Sequence, residues 1–138
     1  MKKLIFIFIA ISFLLFSEEN VVFLIDENYP PYSYLEGEKI KGIYPDILSI
    51  VDKNLKEFKI ILKPVPWNRA LKMIELGQAD YITDVWYRPN DRPYLNYSVP
   101  IIDEEIVIIS KNGDGKKWPN DFKGKIIGIN RGFAVFSS

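Results

Sequence analysis

Residues 59–84 read KIILKPVPWNRALKMIELGQADYITD. Lys59 to Val65 has the β-branched, apolar character of a strand, and Asn68 is placed as the N-cap of a helix carrying Ala70, Leu71 and Ile74 on one side. Gly77 is a helix stop, and Ala79 to Asp84 reads as another, short strand. A strand, a helix of about three turns and a second strand, with no room for a hairpin between them, is the form of a parallel crossover. The stretch therefore predicts an α/β fold with a parallel sheet.

The upstream sequence extends the same pattern. VVFLID, residues 21–26, is apolar almost throughout, as a strand covered on both faces would be. Residues 27–42 read as a long loop with a turn in LEGEKIKG. Tyr44-Pro45-Asp46 opens a helix, with proline in the first turn and an acid near the positive end of the dipole. Ile47, Leu48, Val51 and Leu55 form its apolar stripe. In parallel sheets of this kind ligands bind beyond the carboxyl ends of the strands. The three loops that leave those ends are YPPYSY (29–34), VPWNR (65–69) and TDVWYRPNDR (83–92), the richest in aromatic and charged residues. Two adjacent prolines stiffen the first of them, so its tyrosine rings are held out rather than folded away. A plug over the core would not need polar company from two other loops.

The chain has 138 residues and opens MKKLIFIFIAISFLLFSEEN. Two lysines, an apolar run from Leu4 to Phe16, and Ser17 before two acids give residues 1–17 the form of a signal peptide, and with it a periplasmic or extracellular destination. The run is shorter than the ~20 residues of a comfortable membrane span. A retained anchor is the alternative reading, because Leu15 is a poor residue three places before the cut. There is no cysteine, hence no lipid-anchor site, disulfide or thiol chemistry, and no histidine. The 18 basic and 18 acidic residues balance, and no basic face speaks for nucleic acid. The sequence offers no metal site and calls for no cofactor.

After Ser98 the pattern changes. Residues 104–110, EEIVIIS, read as a strand, NGDG as a tight turn, DFKGK as a short helical turn, and KIIGIN as a strand running into Arg131-Gly132-Phe133. The chain then reaches Ser138 where a further helix is due.

Taken together, YPPYSY with GIYPDIL, then PWNRALKMIELGQADYI, the Arg92 region ending in NYSVPI, and DFKGKIIGINRG resemble the extracellular solute-binding proteins of family 3, the amino-acid type. These segments cover nearly the whole chain after the leader, in the family's order. The resemblance implies a type II periplasmic-binding-protein fold, with residues 18–99 as a first lobe that lacks its returning segment and residues 100–138 as the hinge and the start of a second lobe. It implies capture of a small polar solute, an amino acid or related carboxylate, in a cleft between lobes, with the membrane subunits of an ABC transporter as partners.

The same resemblance assigns site residues. Tyr29 and Tyr32 match the family's aromatic loop, and Trp67 its apolar contact. Arg92, twelve residues after Asp80, matches the arginine that grips the ligand carboxylate. Asp84, Val85 and Tyr87 fall where small hydroxylic residues or glycine usually stand, and Pro89 replaces a common threonine. Gly132, in the matching INRG segment, is counted with them. A plain α-amino acid is the ligand that these departures put in question.

Each of these residues has a blander reading. Arg92 suits a bidentate carboxylate contact and is otherwise a solvated loop arginine. Arg69 and Arg88 stand between surface charge and a second anion contact. Tyr29, Tyr32, Trp67 and Trp86 are either a rigid wall for flat ligands and cations or part of the core. Asp84 suits an ammonium group or caps its own loop, and Asp26 is similar. The run Asp103, Glu104, Glu105 is discounted as catalytic, because neighbours along an extended chain point to opposite faces. Three functions compete: a transport binding protein, a sensory input domain reporting the same closure to a membrane-bound signalling protein, and an enzyme on this fold. The absence of histidine, and of any nucleophile with a base partner, argues against the third.

Overall fold

The computed structural model describes residues 19–109, 115–129 and 132–133. The described chain divides after Val85 into two compact units. The leader, most of NGDG, Asn130 and Arg131 lie outside the described residues.

The first unit is built on β1 (Glu19–Asp26), which runs parallel to β5 (Phe58–Val65) on one side and to β6 (Tyr81–Ile82) on the other. The sheet order is β5-β1-β6, so the chain leaves the central strand first to one side and then to the other. This is the arrangement whose crevice opens beyond the carboxyl end of the middle strand. Leu24 and Ile25 are adjacent on β1 and both fully buried. Side chains alternate along a strand, so both faces of the sheet are covered there, as the unbroken apolar run requires.

Helix α1 (Ile43–Asn54) packs on β5 and on the hairpin strands before it, and α2 (Trp67–Glu75) packs on β1 and β6. Leu24 of β1, Val65 of β5, and Ala70 and Met73 of α2 form the core, with Val22, Ile74, Ala79 and Ile82 at its margin. Phe23 stacks on Tyr81 across the β1–β6 pair with ring centroids 4.6 Å apart. Asp80 adds two bonds before that pair begins: its amide donates to the Val22 carbonyl at 3.2 Å, and its carboxylate accepts from the Val22 amide at 2.8 Å.

Several local expectations change. The segment 27–42 is not one loop: β2 (Asn28–Tyr29), β3 (Ser33–Glu36) and β4 (Lys39–Lys41) make a second, antiparallel sheet. Strands of two to four residues are too short to show a period in the sequence. Helix α2 is capped by Pro66, with Asn68 exposed inside its first turn, because the chain is already helical from Trp67. On α1 Leu48 is buried and Ile47 half-buried, whereas Val51 and the flanking Leu55 are exposed. The strand expected over 79–84 is only the two residues of β6.

In the second unit, residues 104–109 and 125–129 are not strands. A strand is stabilised by its ladder, and among the described residues neither segment has a pairing partner. The short helical turn expected in DFKGK is present as a 3-10 turn over Asn120–Phe122. No helix among the described residues is long and apolar enough to cross a membrane.

Candidate functional site

The carboxyl end of β1 is Asp26, and the chain leaving β6 passes through Thr83 to Asp84. Ser33, at the start of β3, bridges them. Its hydroxyl lies 2.8 Å from the Asp26 carbonyl oxygen and 2.5 Å from Asp84 Oδ2. Thr83 Oγ1 is 3.0 Å from the same Oδ2, and the Thr83 amide donates to the Leu24 carbonyl at 3.0 Å. Ser33 is fully buried, and Asp26 and Asp84 are 5% and 8% exposed. Three polar side chains thus sit nearly out of water at the switch point of the sheet.

The two acids differ in their supply of donors. Asp26 Oδ1 accepts from the Asn28 amide at 3.0 Å, a local turn bond. Burial raises its pKa above the usual carboxylate range, and that bond opposes the rise. Asp84 is pushed up to about 6, first by burial and also by the neighbouring Asp26 charge, against the pull of the Ser33 and Thr83 hydroxyls and the Asp26 backbone. Its Oδ1 is buried with no hydrogen-bond partner. Asp84 also holds φ at +63°, where a non-glycine residue is uncommon. A buried acid with an unpaired oxygen on a left-handed backbone is costly to the fold, and such costs gather at functional positions.

The aromatic loop stands against this cluster through Ser33. The Tyr32 amide donates to the Tyr29 carbonyl at 2.9 Å, closing a turn over the two prolines. The first two amides of α1, at Ile43 and Tyr44, donate to the Pro31 and Tyr32 carbonyls at 3.1 Å each. A helix N-terminus has donors without intrahelical partners, and here the proline loop supplies the acceptors. The Tyr29 and Tyr32 rings lie 4.9 Å apart and tilted, with Tyr44 6.5 Å from Tyr32. All three are half-buried. Tyr29 and Tyr32, expected as a wall for a ligand, lie against each other as a ring pair.

Other expected site residues are more scattered. Trp67, the first residue of α2, is 8% exposed. Arg69 on the same helix is exposed, and Val85 is half-buried. In the second unit Trp86 donates from Nε1 to Glu104 at 2.9 Å, which gives one member of the acidic run a structural task. Tyr87 is largely exposed and meets Tyr97 edge-on at 5.0 Å. Arg92 is 6% exposed, and its Nη2 lies 3.4 Å from the Gly132 carbonyl. That brings together two expected residues forty positions apart. Arg88 forms an ion pair with Asp91 at 3.9 Å.

Ser33 and Thr83 hold the cluster and were not singled out from sequence. Both lie in loops already marked as rich, but a lone hydroxyl carries no spacing signal. Tyr44 was assigned only to the start of a helix.

The model of the bacterial extracellular solute-binding proteins, family 3, matches residues 21–132. No curated protein matches the chain.

Proposed function

The chain belongs to the bacterial extracellular solute-binding proteins, family 3, and from that premise we propose that it captures a small polar solute outside the cytoplasm, an amino acid or related carboxylate, for ABC-type import. The observation that carries this reading is the buried Asp84–Ser33–Asp26 cluster beside the Tyr29–Tyr32 pair, at the sheet edge where ligands of such folds bind. Rigid rings supply area at small entropic cost, and a few buried polar groups fix orientation. Arg92 is assigned the solute carboxylate, since its guanidinium is buried and offers a planar fork. The leader-like residues 1–17 deliver the chain to that side of the membrane. Recognition by the transporter's membrane subunits follows solute capture.

The test is a thermal-shift and calorimetric screen of the twenty amino acids and small dicarboxylates. Saturable one-to-one binding is expected for at least one of them. Arg92→Lys, which keeps the charge and loses the fork, should cost about 2 kcal/mol for a carboxylate ligand. An equal loss for its methyl ester would remove Arg92 from that role.

A further inference from the structure

The cluster around Asp84 contains one hydrogen too few for its contacts. Ser33 has one hydroxyl hydrogen and two oxygens within reach, the Asp26 carbonyl at 2.8 Å and Asp84 Oδ2 at 2.5 Å. If that hydrogen goes to the carboxylate, the carbonyl contact pairs two acceptors. If it goes to the carbonyl, the carboxyl group must bring a hydrogen of its own. Thr83 Oγ1, 3.0 Å from Oδ2 and 3.4 Å from the Leu24 carbonyl oxygen, has a single hydrogen for those two oxygens and supplies none to the Ser33 contacts. Both Ser33 contacts are satisfied together when Asp84 is a carboxylic acid giving its proton to Ser33. Burial and the facing Asp26 charge favour the same protonated form.

We propose that Asp84 holds a proton before the solute arrives, and that an N–H cation of the solute replaces it, donating to Asp84 Oδ1. This rests on reading the cluster as part of the solute site. Oδ1 is the one oxygen of the cluster that is buried without a partner. A neutral donor would satisfy Oδ1 and leave the proton in place. A quaternary ammonium carries charge and has no hydrogen for Oδ1. An ammonium, amidinium or guanidinium group has both. In the exchange the carboxylic acid loses its proton to solvent, the carboxylate forms a charge-assisted bond with the cation, and Ser33 turns its hydrogen to Oδ2, giving up its bond to the Asp26 carbonyl. No bond other than O–H is broken.

The titratable group facing Asp84 is Asp26, from β1. Ser33 of β3 and Thr83, next to β6, also touch it, and neither titrates. Among the described residues no ion pair involves Asp84. The site therefore has room in its charge balance for one cation.

The experiment uses the full chain with four probes: putrescine and L-lysine, which carry N–H cations, glycine betaine, which is quaternary, and succinate, which is an anion. Calorimetry in two buffers of different ionisation heat counts protons released on binding. Putrescine or L-lysine should release close to one proton at about pH 5 and almost none at about pH 8, with affinity roughly tenfold higher at the upper pH. Asp84→Asn should abolish the release and weaken both cations at least tenfold. Independently of any probe, the Asp84 carboxyl carbon, assigned by its absence in Asp84→Asn, should titrate near 6 by NMR.

An ordinary carboxylate titration overturns the inference even when solutes bind. So does cation binding with no proton release and equal affinity at both pH values. Binding of succinate or glycine betaine alone removes the N–H cation while the solute-binding reading stands. A chain that takes none of the four while Asp84 titrates as expected overturns the cation assignment, and the amino-acid and dicarboxylate screen then decides the broader reading separately.

Discussion

Asp84 links backbone, charge and pH at a single position. In the folded chain it keeps its proton up to about 6, against an ordinary value of 3.8. Between those values the unfolded chain binds fewer protons than the folded one, so stability falls as pH rises through the window. The penalty is absent below the ordinary value and complete above the raised one. It amounts to something on the order of 2–3 kcal/mol. Asp26, also raised by burial, adds to the same trend. Asp52 works the other way: its hydrogen bonds to Lys59 Nζ and the Ile60 amide, 2.7 Å each, hold its pKa down, so its contribution is present above the usual carboxylate range and lost as pH falls. Asp84→Asn keeps the shape of the acid and removes the charge. We predict that urea unfolding shows the variant more stable than wild type by about 2 kcal/mol near pH 8, with the two converging near pH 4. Parallel stability curves would mean that Asp84 does not ionise in the folded chain.

Gly42 is the other residue whose identity the backbone dictates. It sits at φ +125° as the N-cap of α1, and a Cβ there would fall on the Tyr32 carbonyl. That carbonyl accepts the Tyr44 amide, so it cannot retreat without opening the start of the helix. Gly42→Ala should destabilise the first unit by about 1–3 kcal/mol and loosen the Tyr29–Tyr32 pair as well. Near-ultraviolet circular dichroism together with urea titration reads both effects. Lost stability with an unchanged aromatic signal would separate the loop from the helix cap.

At the scale of elements, what could be read in the sequence was what a long pattern carries. The apolar run of β1, the β5–α2–β6 crossover and its Gly77 stop all span enough residues for period and punctuation to agree. The small β2–β3–β4 sheet could not be seen, because its strands are two to four residues long and are set by pairing such as Asn28 with Tyr34. The candidate site divides in the same way. The loops could be placed at one sheet edge from the crossover pattern, but the Ser33–Asp84 contact joins residues 51 positions apart. No local rule predicts it. Trp67 shows the limit for a single side chain: a loop tryptophan near a strand end has the same sequence signature whether it faces a ligand or the interior. It is 8% exposed at the start of α2, and that burial speaks for a share in seating the helix. Trp67→Ala should therefore cost about 3–5 kcal/mol in thermal or urea unfolding, with Trp67→Phe recovering most of the loss. A silent Trp67→Ala would make the tryptophan a surface wall.

The whole molecule combines two units of different construction. In the first, two helices pack on a parallel sheet whose register runs the full length of β1 against β5, from Glu19 opposite Phe58 to Asp26 opposite Val65. In the second, the only regular element among the described residues is the turn Asn120–Phe122, and residues 105–109 are exposed along an apolar sequence. Protection from hydrogen exchange follows hydrogen-bonded, buried backbone. The β1 amides from Val22 to Asp26 should be the slowest in the chain, since they belong to the central strand and lie beside the Leu24 core. The amides of residues 104–109 and 125–129 should exchange orders of magnitude faster, having no ladder to open first. Arg92 and Trp86 provide an internal control, because the Arg92 amide donates to the Arg88 carbonyl at 3.0 Å while Trp86 is held through its side chain to Glu104. Exchange at Arg92 should accordingly lag behind its neighbours in the second unit. Mass spectrometry of peptic fragments from the monomeric chain makes the comparison directly. Strong protection over residues 104–109 would mean that they pair with a strand, and the account of the second unit as held by side chains and turns would then fail.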